Sequence, residues 1–168
     1  MSLLLSWRGL ILSLLLIPSI LSWVAIAPPV TAAIYPMQET LGQMLYQSRH
    51  TLRDEFGEPW QVILFKREKI NGENSVHLRL VGFPDVAFFN REQPLKIFVS
   101  TGELLAAKDI FNATSSADNV AEFDFQKILP QLPTLTSVQF LLNMQNNGAI
   151  ALQIPAEVVL EWHLLIER

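Results

Sequence analysis

Trp60-Gln61-Val62-Ile63-Leu64-Phe65-Lys66-Arg67-Glu68-Lys69 leads into Ile70-Asn71-Gly72-Glu73-Asn74, and then into Ser75-Val76-His77-Leu78-Arg79-Leu80-Val81-Gly82. The outer runs are rich in β-branched and apolar side chains, and the Asn-Gly pair between them is a strong hairpin signal. The stretch therefore predicts two antiparallel strands joined by a two-residue turn. In that register Ile70 meets Glu73, so Phe65 falls opposite Leu78, Ile63 opposite Leu80 and Arg67 opposite Val76. The other face pairs Lys66 with His77, Leu64 with Arg79 and Val62 with Val81. One face is then nearly all apolar, while the other is basic around Lys66 and Arg79. A slip by one residue is expected to mix the two sets.

The same period of two extends upstream. Met44, Tyr46, Ser48, His50 and Leu52 alternate with Leu45, Gln47, Arg49, Thr51 and Arg53, and Asp54-Glu55-Phe56-Gly57 supplies a turn into Trp60,. Tyr35 to Gly42 reads as a polar lead-in. Downstream, Phe83-Pro84-Asp85 interrupts the sheet, and strands are expected over Leu95 to Ser100 and Glu103 to Ala107. Asn112 to Asn119 reads as a loop, and Phe123 to Leu132 as a short helix ending at Pro130 or Pro133,. Thr136 to Met144 and Ala149 to Ile154 form a last hairpin around Asn146-Asn147-Gly148. Pro155 then opens a helix with Val158, Val159, Trp162, Leu165 and Ile166 inside, and Glu157 and Glu161 outside,. The expected architecture is α+β or mostly β: a single antiparallel sheet of hairpins, conceivable as a half-barrel, with a C-terminal helix packed on it.

The N-terminus differs from everything after it. Arg8 is followed by an uncharged run from Gly9 to Ala33 that ends in Val30-Thr31-Ala32-Ala33. A positive residue, an apolar core and small residues before a cut are the parts of a secretory signal peptide. Pro18 and Pro28-Pro29 suit a helix that breaks before a cleavage site,. Residues 1–32 are therefore expected to be a leader, and 33–168 a single globular domain. The alternative is an uncleaved anchor over residues 9–27, because the apolar run approaches the ~20 residues that span a bilayer.

Composition narrows the function classes. With no cysteine in 168 residues, disulfides, thiolate nucleophiles, cysteine zinc sites and a lipoprotein anchor are excluded. A net charge of −4 argues against a nucleic-acid partner. His50 and His77 sit on strands and His163 on the last helix, without metal-ligand spacing,. There is no Gly-x-Ser-x-Gly, dinucleotide fingerprint or phosphate loop,. Asp118, Glu122 and Asp124 lack the glycine-centred loop of a calcium hand and read as a solvated acidic face,. No catalytic residue, cofactor or metal site is therefore predicted, and the chain does not read as an enzyme. The basic residues Arg49, Arg53, Lys66, Arg67, Lys69 and Arg79 cluster on an otherwise acidic chain. Arg49, Lys66, His77 and Arg79 are the candidate partner-contact patch, suited to an acidic partner or an anionic lipid surface.

Gly42 to Arg49, Leu52-Arg53-Asp54, Trp60-Gln61-Val62 and Leu78 to Pro84, together with Leu129-Pro130 and Pro155 to Trp162, resemble a cyanobacterial family of uncharacterised exported proteins, domain of unknown function 3122. The resemblance implies a cyanobacterial source and a thylakoid-lumen or periplasmic destination. It carries no assigned chemistry, so no site residue transfers from it.

Together these readings predict an exported, non-catalytic interaction or accessory module at a photosynthetic or envelope membrane, with a protein or the membrane surface as partner. The alternative is a binder of a small apolar molecule in a half-barrel pocket, since Val62, Leu64 and Val81 are apolar opposite Ile63, Phe65 and Leu80,. Protein isolated from its host should begin at Ala33 or Ile34 by mass spectrometry. An intact Met1 would establish the anchor instead.

Overall fold

Period-two alternation builds nine strands among the described residues, which in this computed structural model are 35–40, 43–70, 72–111, 117–145 and 148–168. The leader and the asparagines of the two expected tight turns lie outside them. The strands are β1 (Tyr35–Thr40), β2 (Gln43–Arg53), β3 (Pro59–Lys69), β4 (Asn74–Val81), β5 (Leu95–Phe98), β6 (Leu104–Ala107), β7 (Val120–Asp124), β8 (Val138–Met144) and β9 (Gly148–Ile154). Helix α1 (Ala156–Ile166) follows, with Pro155 at its N-cap. The fold is mostly β, but its hairpins divide between two antiparallel sheets, ordered β1-β2-β3-β4-β7 and β6-β5-β8-β9, and neither closes into a barrel. Helix α1 lies against β2 and β3.

Two segments differ from expectation. Tyr35–Thr40 pairs with β2 as a strand rather than serving as a lead-in. Val120–Asp124 pairs with β4 because Ala121, Phe123 and Phe125 alternate inward, all of them buried. The expected helix after Phe123 shrinks to a 3-10 turn over Leu129–Gln131.

The β3–β4 register is one residue away from the expected one. Lys69 N–H donates to Glu73 O (3.1 Å) and Gly72 N–H to Lys69 O (2.9 Å), so the loop holds three residues, with Gly72 at φ 81°. Three-residue loops require a left-handed residue at this position, and glycine supplies it. Phe65 therefore faces His77, Leu64 faces Leu78, Ile63 faces Arg79 and Val62 faces Leu80. The slip sorts the side chains. Val62, Leu64, Leu78 and Leu80 are fully buried on the core face, while Arg79 and His77 stay on the other. The alternative would push Arg79 toward the core, where an unpaired charge is very costly.

Between the sheets and α1, Phe125 and Phe140 meet edge to face at 6.1 Å, and Trp162 stacks on Phe140 at 6.2 Å. These rings, with Ile97, Leu142, Leu152, Ile154 and Val159, fill the interior. Substituting valine for Gly72 should cost roughly 1–2 kcal/mol, because a β-branched residue resists positive φ. Asparagine there should cost much less. Urea unfolding of both variants checks the loop, and equal midpoints would contradict it.

Candidate functional site

The candidate partner-contact residues do not stay together. Arg49 is exposed and His77 and Arg79 are partly exposed, all on the outward face of the first sheet. Lys66 points the opposite way. Its ammonium donates to Ile166 O at the C-terminus of α1 (3.1 Å), pairs with Glu68 (2.6 Å) and lies over the Tyr46 ring. There it complements the negative end of the helix dipole, so it is not part of an exposed patch.

On the outward face, Arg67, His77 and Arg79 are already engaged. Arg79 Nε and Nη2 both donate to Glu122 Oε2 (3.0 and 2.7 Å), and His77 Nδ1 meets Oε1 at 2.7 Å. The Arg67 and Arg79 guanidiniums lie 4.6 and 5.3 Å from the Phe65 ring centre. Burial opposes ionisation of Glu122, but its hydrogen bonds with His77 and Arg79 and their charges outweigh it and hold the carboxyl below its usual range,. Glu122 is thus bound to β4 rather than solvated, correcting its place in the expected acidic face.

Ser48, His50 and Glu161 come together under α1. His50 Nε2 lies 3.1 Å from Ser48 Oγ and 3.2 Å from Glu161 Oε2, the latter without hydrogen-bond alignment. Glu161, expected outside, is buried because its flank of α1 faces β2. The trio is not a nucleophilic triad. Serine and carboxylate share one ring nitrogen, whereas a relay needs them on opposite nitrogens. Ser48 also has no exposed surface for a substrate. Among the described residues, no group of three or more histidines and carboxylates is placed to hold a metal ion.

The concave surface lies elsewhere, where the β2–β3 turn meets the loop after β4. Asp54 organises the turn: Oδ1 accepts from Phe56 N–H (2.8 Å) and Glu58 N–H (2.9 Å), and Oδ2 accepts from Trp60 Nε1 (2.9 Å). Glu55 fastens it to β9, donating its N–H to Ala151 O (3.2 Å) and accepting Ala151 N–H (2.8 Å). The Trp60 ring packs edge-on against Phe89 at 5.6 Å. Gly82 is required beside it, because a Cβ there would collide with the Trp60 ring and with Ala87. Asn119 locks Gly82 from the other side through two 2.9 Å bonds, one to its N–H and one to its carbonyl. Beyond it, Asp85 is the one non-glycine described residue at positive φ, 62°.

Two clefts share Pro59, Trp60 and Phe83 as walls. The larger, about 350 Å³, adds Thr51, Val81, Gly82 and Pro84, and the smaller, about 160 Å³, adds Phe56, Val86 and Ala87. Phe56 is 72% exposed, Phe83 59% and Val86 52%. Three large apolar side chains thus stand exposed at the rim of one concave region, which makes it the candidate site,. Both turns are legible in the sequence, but their convergence on Trp60 is not. The available signal was a phenylalanine inside each of two otherwise polar turns.

A family model described as Protein of unknown function (DUF3122) matches residues 32–165. No curated protein and no solved structure matches. The Glu122 cluster makes a pH-dependent prediction. Stability of the wild type relative to Glu122→Gln should be at its full value above pH 4.5, the ordinary carboxyl value. It should then shrink as pH falls through the lowered folded value, because the unfolded carboxyl takes up its proton first. Melting curves across that window check it, and a constant difference would contradict it.

Proposed function

The chain belongs to the DUF3122 family, and from that footing we propose that it is an exported, non-catalytic interaction module working at or near a membrane. Its working surface is the cleft region beside Trp60, which takes a segment of a protein partner. The observation that carries this reading is the exposed trio Phe56, Phe83 and Val86 on a framework already fixed by Asp54, Gly82 and Asn119. Burying such side chains releases water at roughly 25 cal/mol per Å². A prefolded frame loses little entropy on binding, so more of that gain becomes affinity.

The uncharged run from Gly9 to Ala33 supports export,. The resemblance adds a cyanobacterial thylakoid lumen or periplasm as the destination. Among the described residues no helix is long and apolar enough to cross a membrane, so attachment over residues 9–27 depends on the leader remaining in place. A second reading, a small apolar molecule in the larger cleft, has its own support: about 350 Å³ lies at the lower end of ligand-site volumes,.

Replacing Phe56 and Phe83 together with serine should lower capture of the partner from host membranes by at least about tenfold, with an unchanged melting temperature. Equal capture by the variant overturns the reading, as does loss seen only on exchanging Arg49 and Arg79 for glutamate. A lipophilic molecule retained by the wild type and lost from the serine variant in native mass spectrometry would establish the second reading.

A further inference from the structure

Resting on the cleft reading above, we propose that the segment gripped there is both apolar and basic, an apolar side chain flanked by lysine or arginine. Among the described residues, three clefts at this end are lined by Asp54, Glu58, Asp85 and Asp118, and by no lysine or arginine. Asp54 is spent on the turn and on Trp60. Glu58, Asp85 and Asp118 are exposed and make no ion pair among the described residues. Their backbones are nonetheless fixed. Glu58 closes the Asp54 turn through its N–H and carbonyl, and the Asp118 carbonyl accepts from Phe89 N–H at 3.0 Å. Asp85 sits at the left-handed corner of the loop, between Pro84 and Val86.

Two cations adjoin this region, and both are committed within the fold: the Arg53 guanidinium donates to Gly57 O (2.6 Å), and Arg91 is held by Asp109 (3.1 Å) and by the carbonyls of Ala117 and Val120 (3.0 and 3.1 Å). The rim therefore presents apolar surface ringed by unneutralised carboxylates held in place. An anionic lipid surface or an acidic segment is repelled there, and an uncharged apolar segment leaves the carboxylates without partners. A basic apolar segment satisfies both features. Exposed charge pairs contribute modestly and are screened by salt, so the carboxylates chiefly select the partner and speed its arrival, while Phe56, Phe83 and Val86 retain it.

A random library of short displayed peptides, selected against the protein as purified from its host, tests this. Enriched peptides should combine an apolar or aromatic residue with lysine or arginine. Their affinity should fall at least about fivefold in Glu58→Gln/Asp85→Asn/Asp118→Asn and also in ~0.5 M salt. These changes keep the fold: asparagine tolerates positive φ at residue 85, and the Glu58 and Asp118 side chains make no hydrogen bond among the described residues. Enrichment of uncharged or acidic peptides overturns the inference, as does full affinity in the triple variant. Stronger binding of the wild type to phosphatidylglycerol vesicles than to the peptides overturns it in favour of a lipid surface. The serine variant of Phe56 and Phe83 separates the two levels. If it binds the peptides as well as the wild type, or if nothing is enriched, the cleft reading itself fails. If it loses them while the triple variant does not, only the basic character of the partner is refuted.

Discussion

The Asp54 carboxylate accepts three hydrogen bonds, two from the backbone of its own turn and one from the Trp60 indole. Each bond to a charged acceptor contributes roughly 1.5–3 kcal/mol, and removing the carboxylate would strand a buried indole N–H. The energetic term matters less than the geometry it fixes. With its nitrogen held, the Trp60 ring can lie against Phe89, and its edge occupies the space a Cβ would need at residue 82. The chain leaving β4 must therefore pass over that ring as glycine, and the Phe83–Ala87 turn follows where Asn119 holds it. Asp54 also forms an isolated bridge with Leu152, tying the first sheet to the second. One carboxylate thus positions a turn, an aromatic floor and the seam between sheets.

A second constraint is the single extra residue in the β3–β4 loop. Because side chains alternate with a period of two, one residue decides which face each cation occupies. Alternation along β3 puts Lys66 on the core face with Trp60, Val62 and Leu64, where its ammonium reaches the end of α1 and Glu68. With Gly72 inside a three-residue loop, the β4 cations do not share that face. Arg79 and His77 are turned to the opposite face, where Glu122 of β7 receives both. The loop therefore splits one stretch of basic sequence into a helix cap and a strand-to-strand clamp.

Much of this was legible in the sequence for identifiable reasons. Strand alternation placed Ser48, His50 and Leu52 on one side of β2, and Pro155 marked the start of α1. The illegible parts depend on long-range choices. Nothing local says that Leu95–Phe98 pairs with Val138–Met144 rather than extending the first sheet. Ala121, Phe123 and Phe125 do alternate, but the prolines at 130 and 133 are an equally strong local signal for the end of a helix,. Glu161 follows Glu157 by one turn, which suggests a shared solvent face, yet its neighbour Trp162 is fully buried and its own flank meets His50. The candidate site was the least legible feature, because Phe56 and Phe83 are far apart in sequence and come to line one cleft only once the fold brings their turns to either side of Trp60.

The contrast between the two surfaces turns on unspent interaction capacity. On the outward sheet face, the Arg79 guanidinium, the His77 ring and the Phe65 ring already satisfy one another and Glu122. A partner arriving there must break charge-assisted bonds before making its own, and the exchange gains little. At the cleft end the opposite holds: Phe56, Phe83 and Val86 have water to shed, and among the described residues Glu58, Asp85 and Asp118 have no ion pair to give up. The hydrogen bonds of Asp54, Glu55 and Asn119 spend their strength within the fold, holding the two loops in place. The rigidity of the frame and the idleness of its rim are therefore two results of one arrangement, and together they leave a larger share of any contact energy available as affinity.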